Sequence, residues 1–393
     1  MSLNRRKFLR EFGSAGVGAL LVKGFAPAQE VGAARRKILI IGAGLSGLAA
    51  AYELEKLGHD VSVFEAQTRL GGRILTVREF DENLYSEAGA ARIHRTHDLT
   101  HKYIGEFGLP LTGFYPSEGK FSVLENGKAK TVDWDDFAEA TEAVASLESP
   151  DRWQKIAGGN DLLPRAFEQR LKGKIRYDAP VVKIAHGAQG VTITYLQKGK
   201  PETARGNRLI STIPFTMLRK IETEPPFADA KTAIIQNLKY DPATRVSLQT
   251  KRRFWADRRL SGFGFGTDFA EIWHATFGEK GTRGILQNYL RGDYALDLTR
   301  RTEKERLEIT LQSMGKLFPA IRTHFEKSST KCWSEDPWTL GAWASAGKEV
   351  EFVKRAEGRV HFAGEHASGM PSWMQGALES ARRVTEEVKK ASF

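Results

Sequence analysis

Three glycines and one acidic residue near the start of the chain have the types and the spacing needed to hold a dinucleotide. Gly42, Gly44 and Gly47 follow an apolar run in a G-x-G-x-x-G pattern. In such a pattern the first glycine permits a tight turn, the second lets the backbone approach a pyrophosphate, and the third lets a helix pack closely on a strand. Glu65 follows the next apolar run and can accept hydrogen bonds from ribose hydroxyl groups. This chemistry predicts a dinucleotide ligand, and the acidic residue favours NAD or FAD over NADP.

The segments around these residues have the patterns of a strand, a helix and a second strand. Lys37–Ile41 is apolar and β-branched, as expected of a buried parallel strand. The spacing of apolar residues predicts a helix from about Leu45 to Leu57, with Gly58 as its stop, and Val61–Phe64 forms the second strand. The helix N-terminus would offer free N–H groups and the positive end of its dipole to a phosphate. The alternative is a coincidental βαβ unit whose glycines make ordinary turns.

Length and composition indicate a globular chain of about two domains. The chain has 393 residues, of which 41% are hydrophobic, enough for a sizeable core. After the N-terminus no stretch is long and apolar enough to span a bilayer. Cys332 is the single cysteine, so no internal disulfide can form, and we expect a buried, small apolar side chain.

The formal net charge of +11 indicates a basic, solvated surface. Loose attraction to an anionic membrane surface is the alternative. No arginine-rich helix or aromatic-interleaved basic strip argues for nucleic acid as a partner.

Residues 1–28 have the pattern of an export signal. Arg5 and Arg6 are followed by Phe8 and Leu9, then by a mildly apolar run at 12–22 and an A-x-A site at 26–28. This pattern resembles the bacterial twin-arginine signal, a route that exports proteins already folded around a cofactor. We therefore expect a periplasmic or secreted protein, with a basic amphipathic anchor that stays attached as the alternative.

Two further motifs connect the chain to a known family. R-L-G-G-R at 69–73 follows the second strand, and E-A-G-A-A-R-I at 87–93 precedes a helical stretch that ends near Phe107. Together with the βαβ unit they resemble the flavin amine oxidases of the monoamine oxidase and L-amino-acid oxidase type, and most of all the L-amino-acid oxidases. The resemblance covers nearly the whole mature chain. It implies an α/β fold in which an FAD-binding, Rossmann-like domain is interleaved with an α+β substrate-binding domain.

The domains implied by this resemblance are discontinuous. The FAD-binding domain is expected at 36–92, 155–220 and 340–390, and the substrate-binding domain at 93–150 and 221–339. Arg359–Glu365 is expected to be a strand ending at an acid, and Ser372 the N-cap of the last helix. The other expected elements are a hairpin at Pro180–Ile184 and Val191–Tyr195, strands at Leu209–Pro214, Arg245–Gln249, Gly262–Phe265, Ile272–Phe277 and Gly284–Tyr289, and a helix at Thr302–Leu317.

The resemblance also implies how the cofactor is held. The FAD should be bound non-covalently, because Ala342 stands where monoamine oxidases attach the flavin through cysteine. The N-terminus of the last helix should face the flavin N1–C2=O edge, where N–H groups stabilise negative charge. Arg69 and Arg73 should contact the diphosphate, or else flank a plain Gly-Gly turn. The full set of implied FAD contacts is Gly42, Gly44, Leu45, Ser46, Gly47, Glu65, Ala66, Arg69, Gly72, Arg73, Gly89, Ala90, Ala91, Arg92, Val181, Gly364, Glu365, Trp373, Met374 and Ala377.

The activity implied by the resemblance is the oxidative deamination of an L-amino acid to a 2-oxo acid, with ammonia and, if O2 is the acceptor, hydrogen peroxide. Arg92 is the candidate anchor, because a guanidinium fork binds a carboxylate through two parallel hydrogen bonds. The alternative is a structural arginine paired with Glu87 or with a flavin phosphate. In that case the enzyme would be an amine or polyamine oxidase or dehydrogenase. A flavin-binding protein without turnover is a third hypothesis.

Other residues of the implied site are aromatic or cationic. Trp373 and Trp343 are candidates for an aromatic cage around the amine, with core packing as the alternative. Arg245 stands where the family usually has lysine, and this departure leaves open whether O2 or another molecule accepts the electrons. His274 is a weaker candidate for the substrate carboxylate, because the match to the family is ambiguous by one residue and strand alternation lets only His274 or Trp273 face the pocket.

No metal is expected, although His97 and His101 are spaced to lie on one helix face near His94. No set of acids or cysteines completes a closed site, so these histidines are expected on the helix surface above the pocket. The segment between Pro110 and Trp153 is shorter than in larger family members, which predicts an open entrance. Side-chain preference and oligomeric state stay open, with a homodimer as one option.

Overall fold

A computed structural model of the protein describes residues 35–141, 149–266 and 270–391. The predicted export signal at 1–28 lies outside the described residues. From Arg35 onward the chain forms one compact unit, and the domain boundaries given above stay a prediction. No helix within the described ranges is long and apolar enough to cross a membrane.

A five-stranded parallel sheet is built around the predicted βαβ unit. Its strands are, in spatial order, Ile175–Arg176, Asp60–Phe64, Lys37–Ile41, Arg208–Ser211 and Val360–Phe362. Residues 38–40 of the central strand are fully buried, because both faces of the sheet are covered. Helices Leu45–Lys56 and Met374–Lys390 pack on one face, and the side chains of a second sheet pack on the other.

The first helix begins and ends where the sequence predicts, within one residue. It spans Leu45–Lys56, with Leu57 as its C-cap. Gly58 has a φ of +85° and donates its N–H to Glu55 O. A left-handed residue here ends the helix, and glycine adopts that conformation at little cost.

The second sheet has four strands and contains the predicted hairpin. Val181–Gly187 and Gly190–Gln197 pair antiparallel and extend further than predicted, and they are joined by Lys200–Gly206 and Glu222–Glu224. The carboxyl end of the five-stranded sheet and the start of this hairpin lie together, because Ala179 N–H donates to Glu65 O at 2.9 Å. This contact brings Val181 next to the strands of the βαβ unit.

A seven-stranded sheet carries the other half of the fold. Its strands are, in spatial order, Phe325–Cys332, Ala243–Thr250, Gly284–Arg291, Ala270–His274, Leu260–Gly266, Lys120–Glu125 and Lys128–Val132. The two outermost strands are polar, which is usual for sheet edges, and apolar patterns therefore did not predict them. The strand predicted at Ile272–Phe277 ends earlier, at His274, because the chain turns there.

In the later part of the chain one helix begins at its local capping signal, whereas the last helix and the last strand depart from the prediction. Thr302 caps the helix Glu303–Gly315 in a capping box with Glu305, as its residue type favours. The last helix is Met374–Lys390, and its N-cap is Trp373 rather than the predicted Ser372, which has a φ of +74°. The last strand is Val360–Phe362, shorter than the predicted 359–365.

The remaining elements are short. Small sheets are formed by Ile93–His94 and Leu111–Gly113 with Trp153–Ile156, by Thr76–Val77 with Ser86–Glu87, and by Tyr240–Asp241 with Trp343–Ala344. The other helices are Asp98–Glu106, Trp134–Ala140, Leu162–Glu168, Phe215–Leu218, Asp229–Asn237, Gly292–Thr299, Ile321–His324 and Val350–Val353. Cys332 is buried, as predicted.

Candidate active site

One cavity of about 660 Å³ runs from the carboxyl edge of the five-stranded sheet to one face of the seven-stranded sheet. Most of the residues predicted from the sequence line it. These are Gly42, Gly44, Leu45, Ser46, Glu65, Ala66, Gly72, Arg73, Gly89, Ala90, Ala91, Arg92, Val181, Arg245, Trp343, Gly364, Glu365, Trp373, Met374 and Ala377. Gly47, Arg69 and His274 do not line it.

The three glycines of the first motif have separate structural roles. A Cβ on Gly47 would lie 2.1 Å from Gly42 O, so this glycine permits the close packing of helix on strand without facing the cavity. Gly42 has a φ of +100° in the turn. A Cβ on Gly44 would meet no described atom within 4 Å. Gly44 therefore leaves open space at the helix N-terminus, where a phosphate would lie.

Glu65 is held rigidly at the end of the second strand. Its Oε2 accepts from Ala43 N–H at 2.7 Å, and its Oε1 accepts from Gln67 N–H at 2.9 Å. Burial raises the pKa of this carboxyl, and the two amide hydrogen bonds oppose the rise. Each oxygen keeps acceptor capacity for ribose hydroxyl groups.

The two arginines of the R-L-G-G-R motif differ. Arg73 donates to Glu365 Oε1 at 2.7 Å and to Ala342 O at 3.0 Å, and both Arg73 and Glu365 line the cavity. Arg69 instead donates to Leu70 O and Gly72 O, at 3.2 and 2.9 Å. Nη1 of Arg69 therefore joins the two sides of the Gly-Gly turn, and Arg69 does not line the cavity. A contact between Arg69 and the diphosphate stays a prediction.

The start of the last helix is joined to the same network. Ser372 N–H donates to Glu365 Oε2 at 2.9 Å. A Cβ on Gly376 would lie 1.9 Å from Met370 O, so only glycine permits this fold of the chain. Met374 and Ala377 line the cavity in the first turn of the helix. The helix N-terminus thus meets the cavity, and its placement at the flavin N1–C2=O edge stays a prediction.

At the other end of the cavity, Arg92 is paired with a buried acid that the sequence analysis missed. Its Nη1 donates to Glu271 Oε2 at 3.1 Å and to Tyr115 Oη at 2.9 Å. The side chain of Arg92 is 10% exposed and that of Glu271 is 0% exposed. Burial alone disfavours the guanidinium charge, but Glu271 outweighs it, together with Tyr115 and Tyr289, and the pKa of Arg92 is raised.

Glu87, one of the two partners proposed for Arg92 in the structural alternative, is not paired with it. Glu87 accepts from Asn160 N–H at 2.7 Å and from Thr76 Oγ1 at 2.9 Å instead. Asn160 also donates from Nδ2 to the carbonyl oxygens of Ala90 and Ala91, at 3.0 Å each. Glu87 and Asn160 therefore position the backbone that leads to Arg92.

Strand register explains why Glu271 lies here. Tyr289 is opposite Arg245 in one neighbouring strand and opposite Glu271 in the other, so the three side chains form a row on one face of the seven-stranded sheet. Trp273 has the same phase as Glu271 and donates its indole N–H to Glu271 Oε2 at 2.7 Å. A period of two in the segment AEIWH could have indicated Glu271 as the pocket-side partner of Trp273.

The same register shows that His274, predicted as a candidate for the substrate carboxylate, does not line the cavity. It points to the opposite face, where its Nδ1 lies 3.1 Å from Ser261 O and its ring packs on Trp255 at 4.8 Å. Burial lowers the pKa of His274 to about 3, so the imidazole is neutral and cannot bind a carboxylate through charge. Trp273 lines the cavity in its place.

Arg245 is held in place by contacts within the protein. It donates to Glu87 O at 2.7 Å, and its guanidinium lies over Trp273 and Tyr289 at 4.6 and 4.5 Å from the ring centroids. Burial lowers its pKa to about 10. The group is therefore still a cation at neutral pH, and the rings hold it at the cavity wall.

The two tryptophans of the predicted cage line the same cavity. Trp373 packs on Trp153 with centroids 5.6 Å apart and on His97 at 5.1 Å. His97 is buried, so the expectation of a histidine on the helix surface is wrong for this residue. Within the described ranges, no group of three or more His, Cys, Asp or Glu side chains could hold a metal ion.

The buried Glu87 gives the site a testable pH dependence. Burial raises the pKa of Glu87 from 4.5 to about 7. Between these values the folded state keeps a proton that the unfolded chain has released, so folding stability falls as the pH rises through this window. The wild type should therefore lose roughly 3 kcal/mol of folding stability across this window. Glu87→Gln, whose side chain stays neutral, should not show this loss. Thermal unfolding of both proteins at pH 5 and pH 8 measures the difference.

Glu118→Gln is the matched control, because Glu118 is exposed. It should leave the pH dependence of the wild type in place. An equal loss of stability from pH 5 to pH 8 in the Glu87 variant and the wild type would contradict the prediction.

Comparison with known proteins agrees with this geometry. The model of the family described as flavin containing amine oxidoreductase matches residues 45–157 and 129–389. The chain belongs to this family. It is 30% identical to "Putative L-amino-acid oxidase YobN" of Bacillus subtilis (strain 168), over 453 aligned positions that cover 90% of this chain and 95% of that protein. It is 28% identical to the flavin-dependent L-tryptophan oxidase RebO of Lentzea aerocolonigenes, with 90% and 98% of the two chains covered.

Solved structures confirm the fold. Cyclohexylamine oxidase from Brevibacterium oxydans IH-35A superposes with a TM-score of 0.80 at 18% identity, covering 91% of this chain and 99% of that one. Putrescine oxidase bound to putrescine gives 0.79 at 18% identity, covering 90% and 99%. The predicted α/β fold of the amine-oxidase type is therefore confirmed.

FAD is the cofactor of this family, and the cavity fits it at both ends. Open space at Gly44 and the free acceptor capacity of Glu65 suit a diphosphate and a ribose, while Val181 lines the far end of the cavity. Ala342 also lines the cavity, whereas the only cysteine, Cys332, does not. These positions agree with non-covalent binding.

Proposed function

We propose that the protein oxidises L-amino acids to 2-oxo acids with release of ammonia. The observation that carries this proposal is the charge at the substrate end of the cavity. Among the residues that line it there, the charged side chains are the guanidinium groups of Arg92, Arg245 and Arg291. A substrate carboxylate would be attracted to this end, whereas a plain amine, which is a cation at neutral pH, would be repelled.

The cofactor and the cavity residues would have separate roles in the reaction. Bound FAD supplies a hydride acceptor for the carbon that bears the amine. Arg92 would hold the substrate carboxylate through the N–H groups that it does not give to Glu271 and Tyr115. Trp343 and Trp373 would confine the amine end and exclude water. The names of YobN and RebO support an amino acid as substrate.

One observation favours the second candidate, an oxidase of plain amines. Arg92 already has a partner in Glu271 at 3.1 Å, so it does not depend on a substrate carboxylate for its charge balance. Cyclohexylamine oxidase and putrescine oxidase, whose names indicate plain amines as substrates, have the same fold. At 18% identity this similarity concerns the fold alone.

Anaerobic mixing with matched substrates tests the two candidates. L-leucine, D-leucine and 3-methylbutylamine, which is leucine without its carboxyl group, are mixed with the holoenzyme while the absorbance of oxidised flavin is followed. We expect L-leucine to be much faster than the amine and the D-enantiomer. An amine that reacts as fast as the amino acid would contradict the proposal. No bleaching by any member of a wider panel of L-amino acids, glutamate and aspartate included, would favour a protein without turnover. Reoxidation with O2 and with a quinone in the same cell then identifies the acceptor.

We also propose that the protein is exported in its folded, FAD-bound form. The support is the Arg5-Arg6 pattern and the A-x-A site at 26–28. Fractionation of bacterial cells that express the full chain tests this, and a shortened protein retained in the cytoplasm would contradict it.

A further inference from the structure

The substrate end of the cavity contains more positive charge than one amino-acid carboxylate would balance. Arg92, Arg245 and Arg291 line it, and Glu271 lies behind Arg92 and Arg291. The acids that line the rest of the cavity are engaged elsewhere, Glu65 by backbone N–H groups and Glu365 by Arg73. After Glu271 is counted, a surplus of two positive charges faces the substrate.

Other ionisable groups near this end do not change the sign. Glu87 is turned towards Thr76 and Asn160, and Lys155, whose Nζ donates to Ala275 O at 2.8 Å, would add positive charge. Tyr115 and Tyr289 are neutral at physiological pH, since burial raises the pKa of each phenol. The substrate end of the cavity therefore keeps its net positive charge when these neighbouring groups are included.

Arg291 is the least engaged of the three arginines. It ends the strand Gly284–Arg291, and its side chain is 30% exposed. Its Nη2 lies 3.5 Å from Glu271 Oε1, and its guanidinium lies 5.5 Å from the Tyr289 ring centroid. Its Nε is buried and has no hydrogen-bond partner among the described residues. Buried polar groups of this kind usually have a partner, so this arginine has donors to offer to a ligand.

The positions of Arg92 and Arg291 suit two anionic groups on one small molecule. Each guanidinium approaches a different oxygen of the Glu271 carboxylate. The two cations therefore lie on either side of this carboxylate. A short dicarboxylate would offer one carboxylate to each guanidinium. A diamine does not fit, because a second ammonium group would need an acid facing the cavity, and Glu271 is fully buried behind the arginines.

We propose that Arg291 binds a second carboxylate and that the preferred substrates are L-amino acids with an acidic side chain. This inference rests on the proposed function. Arg92 takes the α-carboxylate, and Arg291 takes the carboxylate of an aspartate or glutamate side chain through its free N–H groups. Arg291 is thus a residue that determines specificity.

Pairs of substrates that differ in charge but hardly in shape test the proposal. Flavin reduction in the holoenzyme is measured with L-glutamate against L-glutamine and with L-aspartate against L-asparagine. At least one acid should be preferred over its amide by about 10- to 100-fold in kcat/KM. Arg291→Gln should bring that ratio close to one, and Arg291→Lys, which keeps the charge, should restore part of it. Arg300→Gln, at an exposed arginine that does not line the cavity, should keep the wild-type ratio.

Binding of glutarate gives a readout that needs no turnover. This dicarboxylate without an amine should perturb the flavin absorbance of the wild type, and Arg291→Gln should weaken its binding by about 10-fold or more. Thermal unfolding shows that each variant is folded. Amides oxidised as well as acids, or a ratio that persists in Arg291→Gln, would overturn the role of Arg291 and leave the proposed function standing. If no L-amino acid reduces the flavin while glutarate still depends on Arg291, the proposed function fails and the anion site stands.

Discussion

Replacing Arg92 by methionine should lower kcat/KM for the preferred L-amino acid by about 1,000-fold, the loss expected from two hydrogen bonds between charged groups. The decarboxylated amine should lose far less, because it has no carboxylate to bind. Methionine keeps much of the volume of the arginine side chain among Trp153 and Trp273, which lie at 5.7 and 4.9 Å from the guanidinium. Anaerobic flavin reduction with both substrates measures the two effects.

A loss of activity in this variant has a second cause that must be separated from the first. Removing Arg92 leaves Glu271, which is fully buried, with a weaker set of partners. Breaking a buried ion pair in this way costs roughly 3–5 kcal/mol of folding stability. The variant could therefore lose activity because the pocket is disturbed.

The double variant Arg92→Met with Glu271→Gln separates these causes. It removes both charges and should regain most of the lost stability, since no unpaired acid remains in the interior. If Arg92 binds the substrate, activity on the amino acid should stay low. If activity returns together with stability, Arg92 is a structural arginine and the enzyme oxidises plain amines.

The second large effect is expected at two glycines that stand three residues apart. Gly47→Ala should destabilise the protein with or without FAD, because the new methyl group would lie 2.1 Å from Gly42 O and the helix would have to move. Overpacking of this kind typically costs about 1–3 kcal/mol, and a contact this close should cost near the upper end. Thermal unfolding of the FAD-free and FAD-bound forms measures this loss.

Gly44→Ala should give the opposite pattern. A Cβ there meets no described atom within 4 Å, so the stability of the FAD-free protein should fall by less than about 1 kcal/mol, the cost of alanine at an N-cap. The methyl group would occupy the space expected for the diphosphate, and FAD should bind about 100-fold more weakly. Equal FAD affinity in the wild type and the Gly44 variant would contradict the placement of the diphosphate.

Local sequence patterns were sufficient for the nucleotide end of the cavity. The strand, the turn, the helix and Glu65 follow one another within residues 37–65, and each depends on neighbours in sequence. The chemistry of glycine and of an acid at the end of a strand is therefore readable directly from the chain. The same holds for Thr302, whose capping box lies within four residues.

The substrate end could not be predicted as fully. Arg92, Glu271 and Arg291 come from three segments far apart in sequence, and hydrogen-bonded strand register brings the last two together. The choice between Trp273 and His274 depended on which face of the strand meets the cavity. Ser372 was also assigned as an N-cap from its residue type, whereas Trp373 holds that position and Ser372 N–H donates to Glu365.

By itself, the sequence determined the family, the cofactor and the end of the cavity that is predicted to hold the nucleotide, because those features depend on short motifs whose residues act on their own neighbours. Only the tertiary structure decided that Arg92 shares a buried acid with Arg291 and that His274 faces away from the cavity. The physical reason is that charge balance in a buried pocket depends on side chains from distant strands, and a shift of one residue in register would exchange the face that each of them meets.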